Sequence, residues 1–200
     1  MRVFFPGFFA IWSLGTSILW GAENNYAGGV AALATLSADG RYMISSAGSQ
    51  VSLYSPKNGP ALDLFLGRYL KDYVSVQGNF IWNANDLTLV STTTSPQGGS
   101  YYSEVRGSSQ TAVTGDVLVF FRDRHSRLRP YLSVGTGIVH LQSSQRQIEF
   151  VSGSPVLPPM DFSANNAVLR VAVGIDVKLR RGFCLRYSFS ETISPNPISD

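Results

Sequence analysis

The segment from Ala167 to Phe189, AVLRVAVGIDVKLRRGFCLRYSF, alternates so regularly that two strands and both of their faces are legible in it. Leu169, Val171, Val173, Ile175, Val177 and Leu179 fall in one phase, and Arg170, Ala172, Gly174, Asp176 and Lys178 in the other. Strand side chains point to opposite faces with period two, so the first strand has one apolar face and one small or charged face. Arg180, Arg181 and Gly182 supply a tight polar turn, after which Phe183, Leu185, Tyr187 and Phe189 oppose Cys184, Arg186, Ser188 and Ser190. An antiparallel hairpin of this kind has two homes. In a soluble sandwich the apolar face is core and the charges meet water; in a membrane barrel the apolar face meets lipid and the charges point into the lumen.

Composition leans to the second. Only 14% of the 200 residues are charged, against 44% hydrophobic, 12% aromatic and 19 glycines, and ordinary soluble domains carry roughly 25% charge. A net charge of +3 is too small and too dispersed to argue for nucleic acid. One cysteine, Cys184, excludes an internal disulfide and fits a barrel that needs no staple. Residues 1–22, MRVFFPGFFAIWSLGTSILWGA, join one cation, Arg2, to an apolar run that ends at the polar Glu23, Asn24 and Asn25. They read as a secretory signal peptide, which places the mature start near Glu23 and the barrel domain at 23–200.

The mature chain alternates strands with connections of unequal length. Strands are expected at Tyr26–Leu36, Ala61–Leu70, Tyr73–Leu89, Thr111–Arg122 and Pro130–Gln142, followed by the two of the opening hairpin. Long polar loops are expected at Ser37–Pro60, where Val51, Leu53 and Tyr54 offer a short extra strand, at Val90–Gln110 and at Ser143–Asn166. Near Asp86 the alternation slips as a bulge would make it. The connections run long, short, long, short, long, short, which is the asymmetry of an up-and-down membrane barrel and has no cause in a Greek-key sandwich. Tyr69, Tyr73, Trp82, Phe120, Tyr131, Phe183 and Phe189 fall near strand ends, where interfacial aromatic girdles lie. No segment after residue 22 sustains a helical period.

RLRPYLSVGTGIVH, AVLRVAVGIDVKLRRG and LRYSFSETISPNP resemble the strands and turns of small bacterial outer-membrane β-barrel proteins of the OmpA-like, eight-stranded barrel superfamily. The resemblance spans Tyr26 to Pro197 and implies an all-β, up-and-down antiparallel transmembrane barrel in the outer membrane of a Gram-negative bacterium. Such barrels close with an even number of strands. Seven are evident here, so the eighth is expected beyond Asp200, with Glu191–Asp200 as the start of a fourth long loop.

Chemistry is sparse. His125 sits in the basic turn RDRHSR, and His140 shares a phase with Ile138, an odd offset from Ser133 that puts nucleophile and base on opposite faces. Glu104, Glu149 and Asp161 are the loop acids that a surface protease would use, without a supporting motif. No histidine or cysteine cluster has metal-ligand spacing, and the lone Gly-x-Gly of SVGTGIV serves close approach of a neighbour. The expectation is therefore a protein without enzymatic activity, cofactor or metal. Its functional constellation is a set of inward charges: Asp63, Asp116, Asp176, Arg122, Arg170, Lys178 and Arg186. Three acids against four bases suit a salt-bridged plug, with Asp176 and Arg186 at its centre. The leading function is a structural, adhesive or surface-interaction role through long loops, with membrane lipid as the partner and a monomeric state. The alternatives are a narrow passive pore and a soluble secreted barrel that binds a small apolar ligand.

Overall fold

Period-two alternation without a helical period leaves the backbone one way to satisfy its N–H and C=O groups, which is a ladder between strands. A computed structural model describes residues 8–22, 24–37, 41–45, 49–95, 98–153, 161–179 and 183–195, with side chains for 24–35, 57–92, 98–153, 161, 163–179 and 183–194. Among these residues all regular structure is β: β1 Phe8–Ala22, β2 Asn25–Ser37, β3 Arg41–Ser45, β4 Ser49–Pro56, β5 Gly59–Lys71, β6 Val74–Ser95, β7 Gly98–Phe120, β8 Leu128–Ser152, β9 Asp161–Lys178 and β10 Phe183–Pro195.

All pairings are antiparallel, and they form one curled sheet. The seven strands expected from the sequence are consecutive neighbours in it, in the order β2–β5–β6–β7–β8–β9–β10. The β3–β4 hairpin extends the sheet by pairing β4 with the distal half of β6, from Ser49–Thr94 to Pro56–Leu87. β4 is the short extra strand raised by Val51, Leu53 and Tyr54. It also explains the slip near Asp86: β6 has β5 as its neighbour up to Asn83 and β4 from Leu87, and the Lys57 N–H donates to the Asp86 carbonyl at 2.8 Å where the neighbour changes.

Two pairings bear on the expectations for the chain ends. Phe8–Ala22, read as part of a removed leader, is strand β1, and it pairs with β2 on one side and β10 on the other. The edge of β10 that was to receive a strand from beyond Asp200 is paired with β1, from Phe8–Pro195 to Trp20–Phe183. The local reason is visible once β1 is treated as a strand: Trp12, Leu14, Thr16, Ile18 and Trp20 alternate with Ser13, Gly15, Ser17 and Leu19. A leader and a strand are both apolar, and only this phase separates them.

The long polar loops are also shorter than expected. β6 runs to Ser95 and β7 starts at Gly98, while β8 continues to Ser152 and β9 begins at Asp161. Polar residues there pair as ladders because a strand that projects into water needs no apolar face, so its sequence reads as loop. Bulges between Ser103 and Glu104 and between Val105 and Arg106 bend this distal part.

The two faces are inverted relative to a soluble protein. Leu66 is 67% exposed, Ile138 63% and Val113 60%, and Leu64, Phe80, Val117, Leu132, Val134, Val171 and Val173 share their outward phase. Register aligns them in rows, such as Leu64–Phe80–Val113–Ile138 and Val76–Val117–Val134–Val171. The inward face buries Gln77, Asn79, Asn83, Thr114, Asp116, Arg170, Asp176 and Arg186 beside Tyr26, Phe65, Leu118, Phe120 and Tyr131. Glycines on this face make room for the larger groups: a Cβ at Gly135 would collide with the Asp116 carboxylate, and one at Gly174 with the Tyr131 ring. That is the close approach expected of Gly-x-Gly in SVGTG.

Candidate functional site: the interior charge network

Five of the seven sequence-derived charges meet in the interior. β9 and β10 bring Asp176 and Arg186 into direct register. The Arg186 guanidinium forks onto the carboxylate, Nε donating to Oδ1 at 2.7 Å and Nη2 to Oδ2 at 2.9 Å. Both side chains are fully buried, and such a bidentate pair fixes geometry as well as charge. Nη1 of Arg186 donates to Gln77 Oε1 at 2.8 Å, and the Tyr26 hydroxyl donates to the same oxygen at 3.1 Å. The rings of Phe65 and Tyr131 each lie 4.8 Å from the guanidinium carbon, which is cation–π contact in a dry environment.

From Gln77 the network crosses the interior without a break. Gln77 Nε2 donates to Asn79 Oδ1 at 2.5 Å, Asn79 Nδ2 to Thr114 Oγ1 at 3.0 Å, and the Thr114 hydroxyl to Asp116 Oδ1 at 3.0 Å. Asp116 also accepts from Ser133 at 3.1 Å and from Arg170, whose other terminal nitrogen donates to Asp63 at 2.8 Å. Two acids therefore share Arg170, while Asp63 Oδ1 and Arg170 Nε have no protein partner. The space bordered by Asp63, Gln77, Arg170 and Arg186 is about 10 Å³; about 10–15 Å³ on this measure is needed to hold one water.

The other two charges lie elsewhere. β7 ends at Phe120, so Arg122 falls in the turn and is exposed; Lys178 closes β9, exposed, its N–H donating to the Arg127 carbonyl at 2.8 Å. Strand phase assigns a face only while the strand continues, and both residues sit where it stops. Their place is taken by Arg129, which is buried, with its guanidinium 3.9 Å from the Phe120 ring centroid and Nη2 donating to the Asp72 carbonyl at 2.9 Å. Its phase, shared with Tyr131 and Ser133, is present in RLRPYLS, but so close behind the arginines of RDRHSR it reads as part of the basic turn. The same stack corrects the aromatic girdle: Phe120 and Tyr131 face inward and are buried, with Tyr69 packed against Phe120, whereas Tyr73, Trp82 and Phe183 are exposed on the outward side.

A second buried pair lies distally. Arg106 donates to Glu104 at 2.6 Å, and Tyr102 and Gln145 each donate to the other carboxylate oxygen at 2.7 Å. Burial, and then the adjacent carboxylate, push the Tyr102 hydroxyl up to about 12, so it remains a donor. The period-two set Tyr102, Glu104, Arg106 was the missed signal. Glu149 accepts from Ser103 at 3.0 Å, and Asp161 is exposed. Ser133 is buried inside while His140 shares the outward phase and bonds Asn165 at 2.7 Å, so the two do not meet. Among the described residues no cluster of histidine, cysteine and acids has the arrangement of a metal site.

The chain matches no protein family, no curated protein and no solved structure. What is established is an all-β chain whose antiparallel up-and-down strands curl into one sheet.

Proposed function

We propose that this protein is a transmembrane β-barrel of the eight-stranded, OmpA-like type, embedded in the outer membrane of a Gram-negative bacterium. In this reading it is a structural, adhesive or surface-interaction protein that acts through its projecting strands, with a lumen closed by ion pairs. The observation that carries the reading is the inverted partition: single strands carry exposed Val and Leu on one side and buried, paired Asp and Arg on the other. Exposed apolar rows of this extent are costly in water and normal in hydrocarbon.

The register adds support. Pairing passes from β6 through β5, β2, β1, β10, β9, β8 and β7 back to β6. One row starts at Leu66, which pairs with Ala27, and runs through Gly78, Gly115, Thr136, Leu169, Ile193 and Ala10 to Ser37. It returns to β2 ten residues from where it began, Ala27 against Ser37. A stagger of that size over eight strands corresponds to a strand tilt of about 40°, within the range for small barrels, whose interior is filled by side chains. The roughly 10 Å³ left beside Arg170 and Arg186 favours a plug over a pore.

Extraction tests the membrane assignment. The protein should remain in the membrane pellet through salt and carbonate washes and be released by detergent; release without detergent would exclude it and favour the soluble, ligand-binding barrel.

A further inference from the structure

Charge is divided unequally between the two ends of the strands. At the end with short turns, the exposed or half-buried cations among the described residues are Arg68, Lys71, Arg122, Arg124, Arg127 and Lys178, against Asp72 and Asp123. At the distal end, the exposed or half-buried Lys57 and Arg146 stand against Asp86, Glu149, Asp161 and Glu191. The turn end is thus net positive by four and the distal end net negative by two. The bias includes a recess of about 490 Å³ at the rim, lined by Asn24, Tyr69, Leu70, Lys71, Asp72, Tyr73 and Arg124. Arg124 is held there by donation to Asn24 Oδ1 at 2.9 Å and by stacking 4.6 Å from the Tyr69 ring centroid. Leu70 and Tyr73, 58% and 51% exposed, continue the outward apolar band down to the recess.

We infer that this recess binds the phosphate headgroup of an anionic glycerophospholipid in the leaflet on the turn side. The inference rests on the membrane reading above. Lys71 and Arg124 supply two cations against the single carboxylate of Asp72, and Leu70 and Tyr73 supply the apolar side on which the glycerol and upper acyl chain would lie. The apolar band places the recess at headgroup depth, where interfacial tyrosines and basic residues belong. A cation beside an anionic membrane surface is worth about 1 kcal/mol, or about fivefold in affinity.

The test uses the full chain refolded into nanodiscs of equal phosphatidylcholine and phosphatidylglycerol, with native mass spectrometry counting the lipids that stay bound. The wild type should retain phosphatidylglycerol in several-fold excess, and high salt during nanodisc assembly should reduce that excess. Lys71→Gln with Arg124→Gln should abolish it, and Arg146→Gln, at the distal end, should leave it intact. Equal retention of the two lipids by inserted wild-type protein, or an excess that survives the double change, would overturn the recess while leaving the barrel standing. A chain that inserts into no bilayer would overturn both. Because the salt comparison uses unaltered protein, the outcome does not depend on the variant folding.

Discussion

Every nitrogen of the Arg186 guanidinium donates to an interior acceptor, two to Asp176 and one to Gln77. Removing one member of such a pair leaves the other charge buried and unanswered. Asp176→Ala should therefore lower the unfolding free energy in a urea titration by about 3 to 5 kcal/mol. Adding Arg186→Leu should recover part of the loss, and a double variant no more stable than the single one would contradict the assigned pairing. A second residue-scale prediction concerns pH at the β7–β8 turn. The Asp123 carboxylate accepts from the backbone N–H of His125 at 2.8 Å and of Ser126 at 3.0 Å. These bonds, His125 first, hold its pKa below the usual carboxylate value. A depressed pKa means that the charged form stabilises the fold above the unfolded-state value, and that this contribution fades as pH falls through the folded value. The protection factor of the Ser126 amide, its rate relative to an unstructured peptide at the same pH, should thus fall on acidification, with a midpoint below that of an ordinary aspartate, and Asp123→Asn should remove the transition. Asp176 and Arg186 were legible in the sequence because both lie well inside alternating strands. Arg129 was not, because a cluster of four arginines in RDRHSRLR reads as solvated turn until the strand start is known.

At the scale of elements, phase decides what a substitution does. Val173 is half exposed on the outward side, and Ala172, one position away, is buried beside Ser133. Val173→Arg should destabilise the inserted protein by about 2 to 4 kcal/mol if it lies near the bilayer midplane, whereas Ala172→Ser should be nearly silent; equal tolerance in lipid-reconstituted unfolding would reverse the faces. β1 carries the other prediction of this scale. It pairs with β2 and β10 along its length, so a chain beginning at Glu23 would leave both of those strands with an open edge. Protein made from residues 23–200 should fail to reach the compact, heat-modifiable form on a cold detergent gel that the 200-residue chain reaches, and N-terminal peptides covering Phe8–Ala22 should be recovered from membranes. Normal folding of the shorter chain would favour the leader reading. Strands within the apolar band were legible because their two faces differ in polarity. The distal halves of β6, β7 and β8 were not, since polar residues on both faces remove the alternation on which strand recognition depends.

On the scale of the whole molecule, the interior has to be close to neutral if it is to be dry. Asp63, Asp116 and Asp176 stand against Arg129, Arg170 and Arg186, all six facing inward, so the balance is even. The sequence-derived set reached near-neutrality with two different cations, Arg122 and Lys178, which lie exposed at the turn end. The sum survived the exchange because a narrow interior of low effective dielectric tolerates few unpaired charges, whichever residues supply them. A pore would need the opposite: a single-sign lining and a continuous wet path. Here Arg170 bridges two acids across the middle, Arg186 closes the space beside it, and the gap between them is about 10 Å³. The full chain in planar bilayers should therefore give no stepwise conductance at voltages that porins tolerate. Asp116→Ala combined with Arg170→Ala removes the central pair while keeping interior charge balanced, and it should be the first variant to admit transient small-ion steps. Stable, ion-selective steps from the wild-type protein would exclude the closed interior and restore the passive pore as the leading function.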